Sequence, residues 1–145
     1  MNQHYDRPNG AARAANAVIR RLAEAGISIA GTRALRVRGR ISGAPQRVVV
    51  NVLRVDGTDY LVSPRGNTQW ARNARAAGVV ELGPRWRHTP VPVTEVADDA
   101  KPAVLKSYLD RWYWEVKGHI AGLTPDSSAD QLRAAAPKIP VFALG

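Results

Sequence analysis

Apolar and polar residues alternate along several short stretches of this chain, and such alternation predicts β-strands. Between Thr32 and Gly39, Leu35 and Val37 lie on one side of a predicted strand. The opposite side of that strand is basic, with Arg36, Arg38 and Arg40. Glycine, serine and proline residues between Gly39 and Pro45 then predict a turn.

The following apolar segments predict a hairpin and three further strands. The segment from Arg47 to Val55 is apolar on both faces, as expected of a central strand, and Asp56-Gly57 is a typical hairpin turn before a strand from Thr58 to Ser63. The further strands are Val79–Leu82, Trp86–Val96 and Ile139–Leu144. Pro90 and Pro92 place the second of these at a sheet edge or at a bulge, because proline cannot donate a ladder hydrogen bond.

Apolar residues at helical spacing predict two helices in the first half of the chain. The first, from Ala11 to Ala25, either docks on the rest of the protein or lies on a membrane surface. The second runs from about Asn67 to Ala77 and is ended by Gly78. In this second helix Trp70, Ala74 and Ala77 are predicted to point inward, with Arg72 and Arg75 pointing outward into solvent.

Two more helices are predicted near the C-terminus. One is capped by Asp98 or Asp99, accepts Pro102 in its first turn and reaches about Lys117. Its buried side is predicted to hold Leu105, Tyr108, Leu109, Trp112 and Val116, whereas Trp114 points almost the opposite way. The last helix covers Asp126–Ala136. A large indole on an exposed helix side needs a second partner, such as a ligand, a loop or another subunit.

This order of helices and antiparallel strands predicts one small α+β domain, a barrel or a sandwich. At 145 residues the chain is long enough to bury a core. We expect residues 1–10 to be a disordered lead and residues 11–145 to form the single domain. No apolar run has the length of a membrane span or a signal peptide, so the sequence predicts a cytoplasmic protein, with peripheral membrane contact through the first helix as the alternative.

Positive charge is concentrated in the first half of the chain. The net charge is +9, and between Ala25 and Val80 nine arginines stand against two acids, Asp56 and Asp59. Such an excess favours an anionic partner, and arginine suits phosphate and carboxylate recognition. A strand face with Arg36, Arg38 and Arg40, together with Tyr60 and Trp86, is also compatible with nucleic acid. Sparse aromatics and the absence of a nucleic-acid-binding motif argue against that alternative.

Several kinds of catalytic site are absent from the sequence. The chain has no cysteine, and its histidines, His4, His88 and His119, are too far apart for a ligand pair, so no metal site is expected. Motifs for serine hydrolases, phosphate loops, dinucleotide-binding loops and zinc proteases are also missing. If the protein is an enzyme, a cofactor should supply the chemistry.

The segment from Pro64 to Asn73 is the most informative part of the chain. A predicted strand ends at Pro64, and a helix begins just after Gly66. The first N–H groups of a helix have no intrahelical partner, and Arg65 stands beside them, so the segment predicts an anion site.

The chain resembles the deazaflavin (coenzyme F420)-dependent nitroreductase and quinone reductase family, from about Ala17 to Phe142. The resemblance is carried by Gly39-Arg40-Ile41-Ser42-Gly43, Arg47, Asn51, Asp56-Gly57, the segment Tyr60–Asn73, and later residues from Lys101 to Val116 and from Ala136 to Phe142. It implies a split β-barrel of FMN-binding-like type, mostly antiparallel, with flanking helices. Two departures are Ile41, where the family often has a basic residue, and Val49, where it often has proline.

The resemblance also implies a function and a set of site residues. The protein would be an F420H2-dependent reductase that transfers a hydride to a small planar electron-poor acceptor such as a quinone, enone or nitroaromatic. The alternative is a non-catalytic carrier of F420 or FMN. The cofactor-binding residues would be Arg47, Asn51, Ser63, Pro64, Arg65, Gln69, Trp70 and Asn73. Trp112, Tyr113 and Trp114 are candidates for shaping the acceptor pocket. Tyr108 and Tyr113 are candidate proton donors, no catalytic residue is assigned, and the sequence does not define the oligomeric state.

Overall fold

The computed structural model describes residues 32–83 and 89–145. Six antiparallel strands form a closed barrel in the order β1-β2-β3-β6-β5-β4. The strands are β1 Thr32–Arg38, β2 Pro45–Val55, β3 Thr58–Val62, β4 Val79–Leu82, β5 Thr89–Glu95 and β6 Val141–Leu144. The flanking helices are α1 Gln69–Ala77, α2 Lys101–Val116 and α3 Ala129–Ala135. The predicted α+β barrel of antiparallel strands with flanking helices is confirmed.

The side-chain alternation of the strands divides the core into two parts. Inward-facing residues of the barrel, such as Leu35, Leu61 and Phe142, form one cluster that α1 closes with Trp70 and Ala74. Residues on the outer face of β2 and β3 form a second cluster with α2 and α3. Because α1 follows the end of β3 and precedes the start of β4, it lies at the same end of the barrel as the β1–β2 turn.

The Asp56-Gly57 turn joins β2 to β3 with positive φ angles at both residues, 49° and 80°. Two successive residues with positive φ match the right-handed twist of the strands that they connect. The turn therefore fixes the register in which Val55 faces Thr58 and Val52 faces Leu61. The hairpin prediction is confirmed, and β2 has neighbours on both sides, as expected of a central strand.

The fifth strand is expected at a sheet edge or at a bulge, and the half that contains the prolines does pair on one side only, as an edge strand does. β5 lies between β4 and β6, but each half has one ladder partner: residues 89–92 pair with β4 and residues 93–95 pair with β6. Both prolines fall in the first half. The Val93 N–H donates to Gly78 O on the β4 side, so the nitrogens of Pro90 and Pro92 face the other side, where the ladder to β6 has ended.

The helices α2 and α3 begin at later residues than the sequence predicts. Asp98 and Asp99 lie in a 3-10 turn, Asp98–Ala100, and no side chain caps α2; the Asp98 carboxylate instead pairs with the buried Lys101 ammonium at 2.7 Å. α3 begins later than expected because Ser128 forms a capping box with Gln131. The predicted Pro102 position and the buried side of α2 are confirmed, and the helix is kinked at Trp112.

In α1, the inward side differs from the prediction at two positions. Trp70 and Ala74 are buried, but Ala77 is exposed and Asn73 is buried in its place. Arg72 is half-buried rather than solvent-exposed, whereas Arg75 is exposed and pairs with Glu95 at 2.7 Å. Gly78 ends the helix with a φ of 71°.

The predicted disordered lead 1–10, the helix 11–25 and Trp86 lie outside the described residues, so the domain boundaries remain predictions. No helix among the residues described is both long and apolar enough to cross a membrane.

Candidate functional site

The loop from Ser63 to Thr68 connects β3 to α1 and is held by its own hydrogen bonds. The fully buried Ser63 hydroxyl donates to Gly66 O at 2.6 Å and lies 3.0 Å from the Thr68 hydroxyl. Thr68 then caps α1 by accepting from the Ala71 N–H. Gly66 adopts a φ of 104°, a conformation that side chains disfavour. The Ser63 hydroxyl is therefore used within the loop, and its role at a cofactor stays a prediction.

A polar cluster forms where α1 meets the β1–β2 turn. The Arg40 guanidinium donates through Nη1 to Gln69 Oε1 at 2.9 Å and to Asn73 Oδ1 at 2.8 Å. The Arg40 backbone N–H also donates to Asn73 Oδ1, and Asn73 Nδ2 donates to Gln46 Oε1 at 2.8 Å. The hydrogen bonds of the buried Asn73 side chain therefore connect α1 to the β1–β2 turn and to the start of β2.

The outer face of β1 and β2 next to this cluster is basic. Arg36 and Arg47 are direct cross-strand neighbours, and Arg38 lies two residues from Arg36 on the same face. Arg38 and Arg47 are exposed and make no hydrogen bond or ion pair with any residue in the described ranges. Arg36 is also the direct cross-strand neighbour of Glu81 in β4, which offsets part of its charge, so the excess positive charge lies at Arg38 and Arg47, where it favours an anion.

Asn51 lies further along the same face of β2 and contacts α2. Its Nδ2 donates to Glu115 Oε2 at 2.6 Å. Burial raises the pKa of Tyr108, which is 3% exposed; a hydrogen bond with Asn51 opposes this rise, and the charge of Glu115 adds to it. Between Arg47 and Asn51 the strand spans roughly 13 Å.

The remaining predicted residues occupy three different environments. Trp70 is buried and packs against Phe142, with 5.9 Å between ring centroids, so it belongs to the barrel interior. Trp112 is buried, Tyr113 is half-buried, and Trp114 is 69% exposed. Pro64 and Arg65 are half-buried in the loop before α1.

The structure therefore arranges the predicted cofactor residues as two groups. Gln69, Asn73 and the 63–68 loop lie at the α1 end of the barrel, and Arg47 and Asn51 run from that end along β2 toward α2. Neither of the two cavities described, about 600 Å³ and 250 Å³, is lined by any residue predicted to bind the cofactor.

Sequence reasoning missed the partners that occupy these side chains. The alternation predicts Arg40 on an exposed strand face, whereas it binds Gln69 and Asn73. Neither Gln46 nor Glu115 is among the predicted site residues, although each binds one of them. A signal for Glu115 was present, because it lies seven residues after Tyr108 and so on the same side of a helix. Arg40 carried no comparable signal, since its partners are about thirty residues away in sequence.

Comparison with known proteins bears on the fold. No family model and no curated protein matches the chain. Among solved structures, the chain is similar to protein Atu2129, of unknown function, from Agrobacterium tumefaciens str. C58, with a TM-score of 0.54 and 20% identity over 96% of this chain. The chain spans 56% of the length of that protein.

Two other solved structures match this chain over most of their own length. A domain-swapped dimer gives a TM-score of 0.55 at 15% identity, covering 93% of this chain and 96% of that one. An F420-H2 dependent reductase, FDR-A, gives a TM-score of 0.51 at 17% identity, covering 79% of this chain and 94% of that one. The chain therefore has a split β-barrel fold that an F420-H2 dependent reductase also has.

Proposed function

We propose that this chain binds an anionic redox cofactor on the outer face of β1 and β2, and that the cofactor is coenzyme F420, with FMN as the alternative. The observation that carries this proposal is the direct pairing of Arg36 with Arg47 beside Arg38, on a face where Arg38 and Arg47 have no partner among the described residues. A phosphodiester or carboxylate between these guanidinium groups would relieve their repulsion and accept bidentate hydrogen bonds.

The donor set fits the anionic tail of such a cofactor. Guanidinium groups present planar pairs of N–H donors to phosphate and carboxylate oxygens. Arg65 adds a fourth positive charge at the same end of the barrel, because its loop follows β3 next to the N-terminal half of β2. The first turn of α1 contains no acidic residue, so its N-terminus remains favourable for negative charge.

The polar residues of α1 have a supporting role in this proposal. Gln69 and Asn73 hold the Arg40 side chain, so the β1–β2 turn keeps its position beside the basic face. Asn51 and Glu115 hold α2 against β2 at the other end of that face. The cofactor ring would lie between the Arg40 contacts with α1 and the Asn51–Glu115 contact. Val49 offers an apolar surface there, and Tyr113 and Trp114 can exclude water.

Bound F420 in its reduced form supplies a hydride to a planar electron-poor acceptor, such as a quinone, enone or nitroaromatic. The chain must bind and orient both molecules and leave a route for the accompanying proton. Tyr113, which is half-buried, is the better placed of the two tyrosines for that proton. Tyr108 is buried and its pKa is raised, so its hydroxyl is a weaker acid.

Titration with F420 and FMN at 50 and 200 mM salt, with menadione as acceptor for reduced F420, tests the proposal. We expect Arg47→Ala to weaken F420 binding by about 1–3 kcal/mol through loss of a charged donor. Arg133→Ala is the matched control, since Arg133 is exposed on α3 and pairs with Asp130. The control should bind as the unchanged protein does.

Each outcome has a defined meaning. Binding with oxidation of reduced F420 by menadione supports the reductase, and binding without oxidation supports a carrier. Binding of FMN without binding of F420 would mean that the cofactor is FMN. The proposal fails if neither cofactor binds, or if the chain binds only a single-stranded oligonucleotide with strong salt dependence, because that indicates a nucleic-acid surface.

A further inference from the structure

The barrel has a second feature at the end opposite α1. A cavity of about 600 Å³ opens there, within the range of roughly 300–1,000 Å³ typical of small-molecule sites. Its apolar walls are inward-facing residues of four strands, Val52, Leu82, Val91 and Leu144. All four are half-buried, whereas Leu35, Leu61 and Phe142, deeper in the barrel, are fully buried and close its interior.

At this end the inward-facing positions change from apolar to charged. Arg33 precedes Leu35 by two residues, Arg54 follows Val52 by two, and Asp59 precedes Leu61 by two, so all three continue the inward alternation and line the cavity. A packed barrel end would carry apolar residues at these positions. Among the described residues, the rim holds the guanidinium groups of Arg33, Arg54 and, from α2, Arg111, against the side-chain carboxylate of Asp59, and Gly145 also lines the cavity.

Two of the guanidinium groups of the rim, those of Arg54 and Arg111, differ in what they already bind. Arg54 forms a two-point contact with Asp59, at 2.9 and 3.3 Å, so their charges offset each other. The Arg111 guanidinium lies 4.5 Å from the centre of the Trp112 ring. It makes no hydrogen bond or ion pair with any residue in the described ranges. A cation–π contact fixes the plane of the guanidinium and leaves its N–H donors available.

We propose that this cavity binds an organic monoanion with an apolar body, such as an alkyl or aryl carboxylate or sulfonate. The apolar body occupies the space between Val52, Leu82, Val91 and Leu144, where it is removed from water. The anionic group contacts Arg111 at the rim. A neutral ligand leaves the Arg111 donors unused, and a cation is repelled by the rim, so the site discriminates by charge.

This site is separate from the proposed cofactor surface. The cavity lies at the Asp56-Gly57 end of the barrel, and the arginines proposed to hold the cofactor lie at the α1 end or on the outer face. Binding at the two places is therefore expected to be independent, and failure of one proposal leaves the other standing.

A ligand series tests the apolar part of the proposal. Isothermal titration of the protein with hexanoate, octanoate and decanoate should show one saturable site whose affinity rises about fourfold per added methylene. Octanol and octylamine are the neutral and cationic counterparts of octanoate. We expect octanoate to bind at least fivefold more tightly than either. Equal affinity of octanoate and octanol overturns the proposal, and so does the lack of saturation.

A substitution tests the charged part. Arg111→Gln keeps most of the aliphatic stem at an exposed helix position and is expected to fold, as a circular dichroism spectrum would check. It should weaken decanoate binding fivefold or more and leave octanol binding unchanged. Arg133→Gln, on α3, is the control and should leave both unchanged.

Displacement of the fluorescent sulfonate 8-anilino-1-naphthalenesulfonate by decanoate gives a second readout. Fivefold or more weaker binding of this sulfonate to Arg111→Gln, with an unchanged circular dichroism spectrum, supports the site. Unchanged decanoate affinity in Arg111→Gln contradicts it. Competition between decanoate and F420 would contradict the separation of the two sites.

Discussion

Arg36 and Arg47 face each other directly across the β1–β2 ladder, with both side chains on the outer face of the barrel. Directly opposed side chains in an antiparallel pair are separated by about 4.5–5.5 Å between Cβ atoms. Two guanidinium groups at that separation repel each other, and Arg38 on the same face adds to the repulsion. On its other side Arg36 lies directly opposite Glu81 of β4, so part of its charge is offset there. Arg38 and Arg47 make no hydrogen bond or ion pair with any described residue, so the uncompensated positive charge of this face lies at these two positions.

Removing one member of the pair should therefore not destabilise the protein. We expect Arg47→Gln, without ligand and at low salt, to leave the free energy of unfolding unchanged or to raise it by about 0.2–1 kcal/mol. Urea unfolding at 20 and 300 mM salt measures this, and the gain should shrink at high salt because the repulsion is screened. A loss of stability above about 1 kcal/mol would show that Arg47 has a structural role.

Asn73 should be the most sensitive polar residue of α1. It is 5% exposed and takes part in three hydrogen bonds, with the Arg40 side chain and backbone and with Gln46. We expect Asn73→Ala to cost about 1–3 kcal/mol, because buried polar partners lose their hydrogen bonds. Gln69→Ala removes one exposed bond to the same arginine and should cost less than about 0.5 kcal/mol. If Asn73→Ala and Gln69→Ala lowered the free energy of unfolding equally, Asn73 would not be the residue that connects these segments.

Ser63 should affect folding rather than cofactor affinity. Its hydroxyl is fully buried and donates to Gly66 O within the loop. We expect Ser63→Ala to lower the free energy of unfolding by about 1–2 kcal/mol and to leave F420 affinity unchanged once the protein is folded. Ser42→Ala, in the exposed turn, is the matched control with an effect below about 0.5 kcal/mol. A loss of affinity without a loss of stability would place the Ser63 hydroxyl at the ligand.

Tyr108 should make the protein sensitive to alkaline pH. Its pKa is raised in the folded state by burial, so above pH ~10 the unfolded chain loses the phenolic proton while the folded chain keeps it. The contribution of this group to stability is complete below pH ~10 and is lost as the pH rises through the folded-state pKa.

The Tyr108→Phe variant isolates that contribution. The difference in unfolding free energy between the unchanged protein and the variant should be constant from pH 7 to 9. Above pH ~10 it should change in favour of the variant by up to about 1.4 kcal/mol per pH unit. Thermal or urea unfolding between pH 7 and 11 measures it. Parallel curves over the whole range would mean that the Tyr108 pKa is the same in the folded and unfolded chains.

The fold was largely predictable because its elements have local signals. The alternation around Leu35 and Val37, the Asp56-Gly57 turn and the Gly78 helix end each identify an element without knowledge of the rest of the chain. Errors occurred where a long-range contact decides the outcome. Asp98 does not cap a helix but pairs with Lys101, whose buried ammonium also donates to Ala136 O, which is distant in sequence. The two halves of β5 pair with different neighbours, β4 and β6.

The candidate site was less predictable than the fold. The sequence predicted an anion site in the segment from Pro64 to Asn73, but it did not show that the turn residue Arg40 binds Gln69 and Asn73. Polar contacts between distant segments depend on strand register and on turn geometry, and neither leaves a periodic pattern in the sequence. The charged residues at the cavity rim were equally hidden, because Arg33 and Asp59 face inward only once the barrel is closed.

The change of ladder partner within β5 also limits how copies of this protein can associate. At Pro90 and Pro92 the backbone nitrogens point away from β4 and carry no hydrogen to donate. A strand from another molecule that approached this side would find no N–H donor at either proline, and the Pro92 carbonyl already accepts from the Gly145 N–H, so such a strand could not extend the sheet there. This part of the barrel wall, where the partner of β5 changes from β4 to β6, is thereby protected from edge-to-edge aggregation.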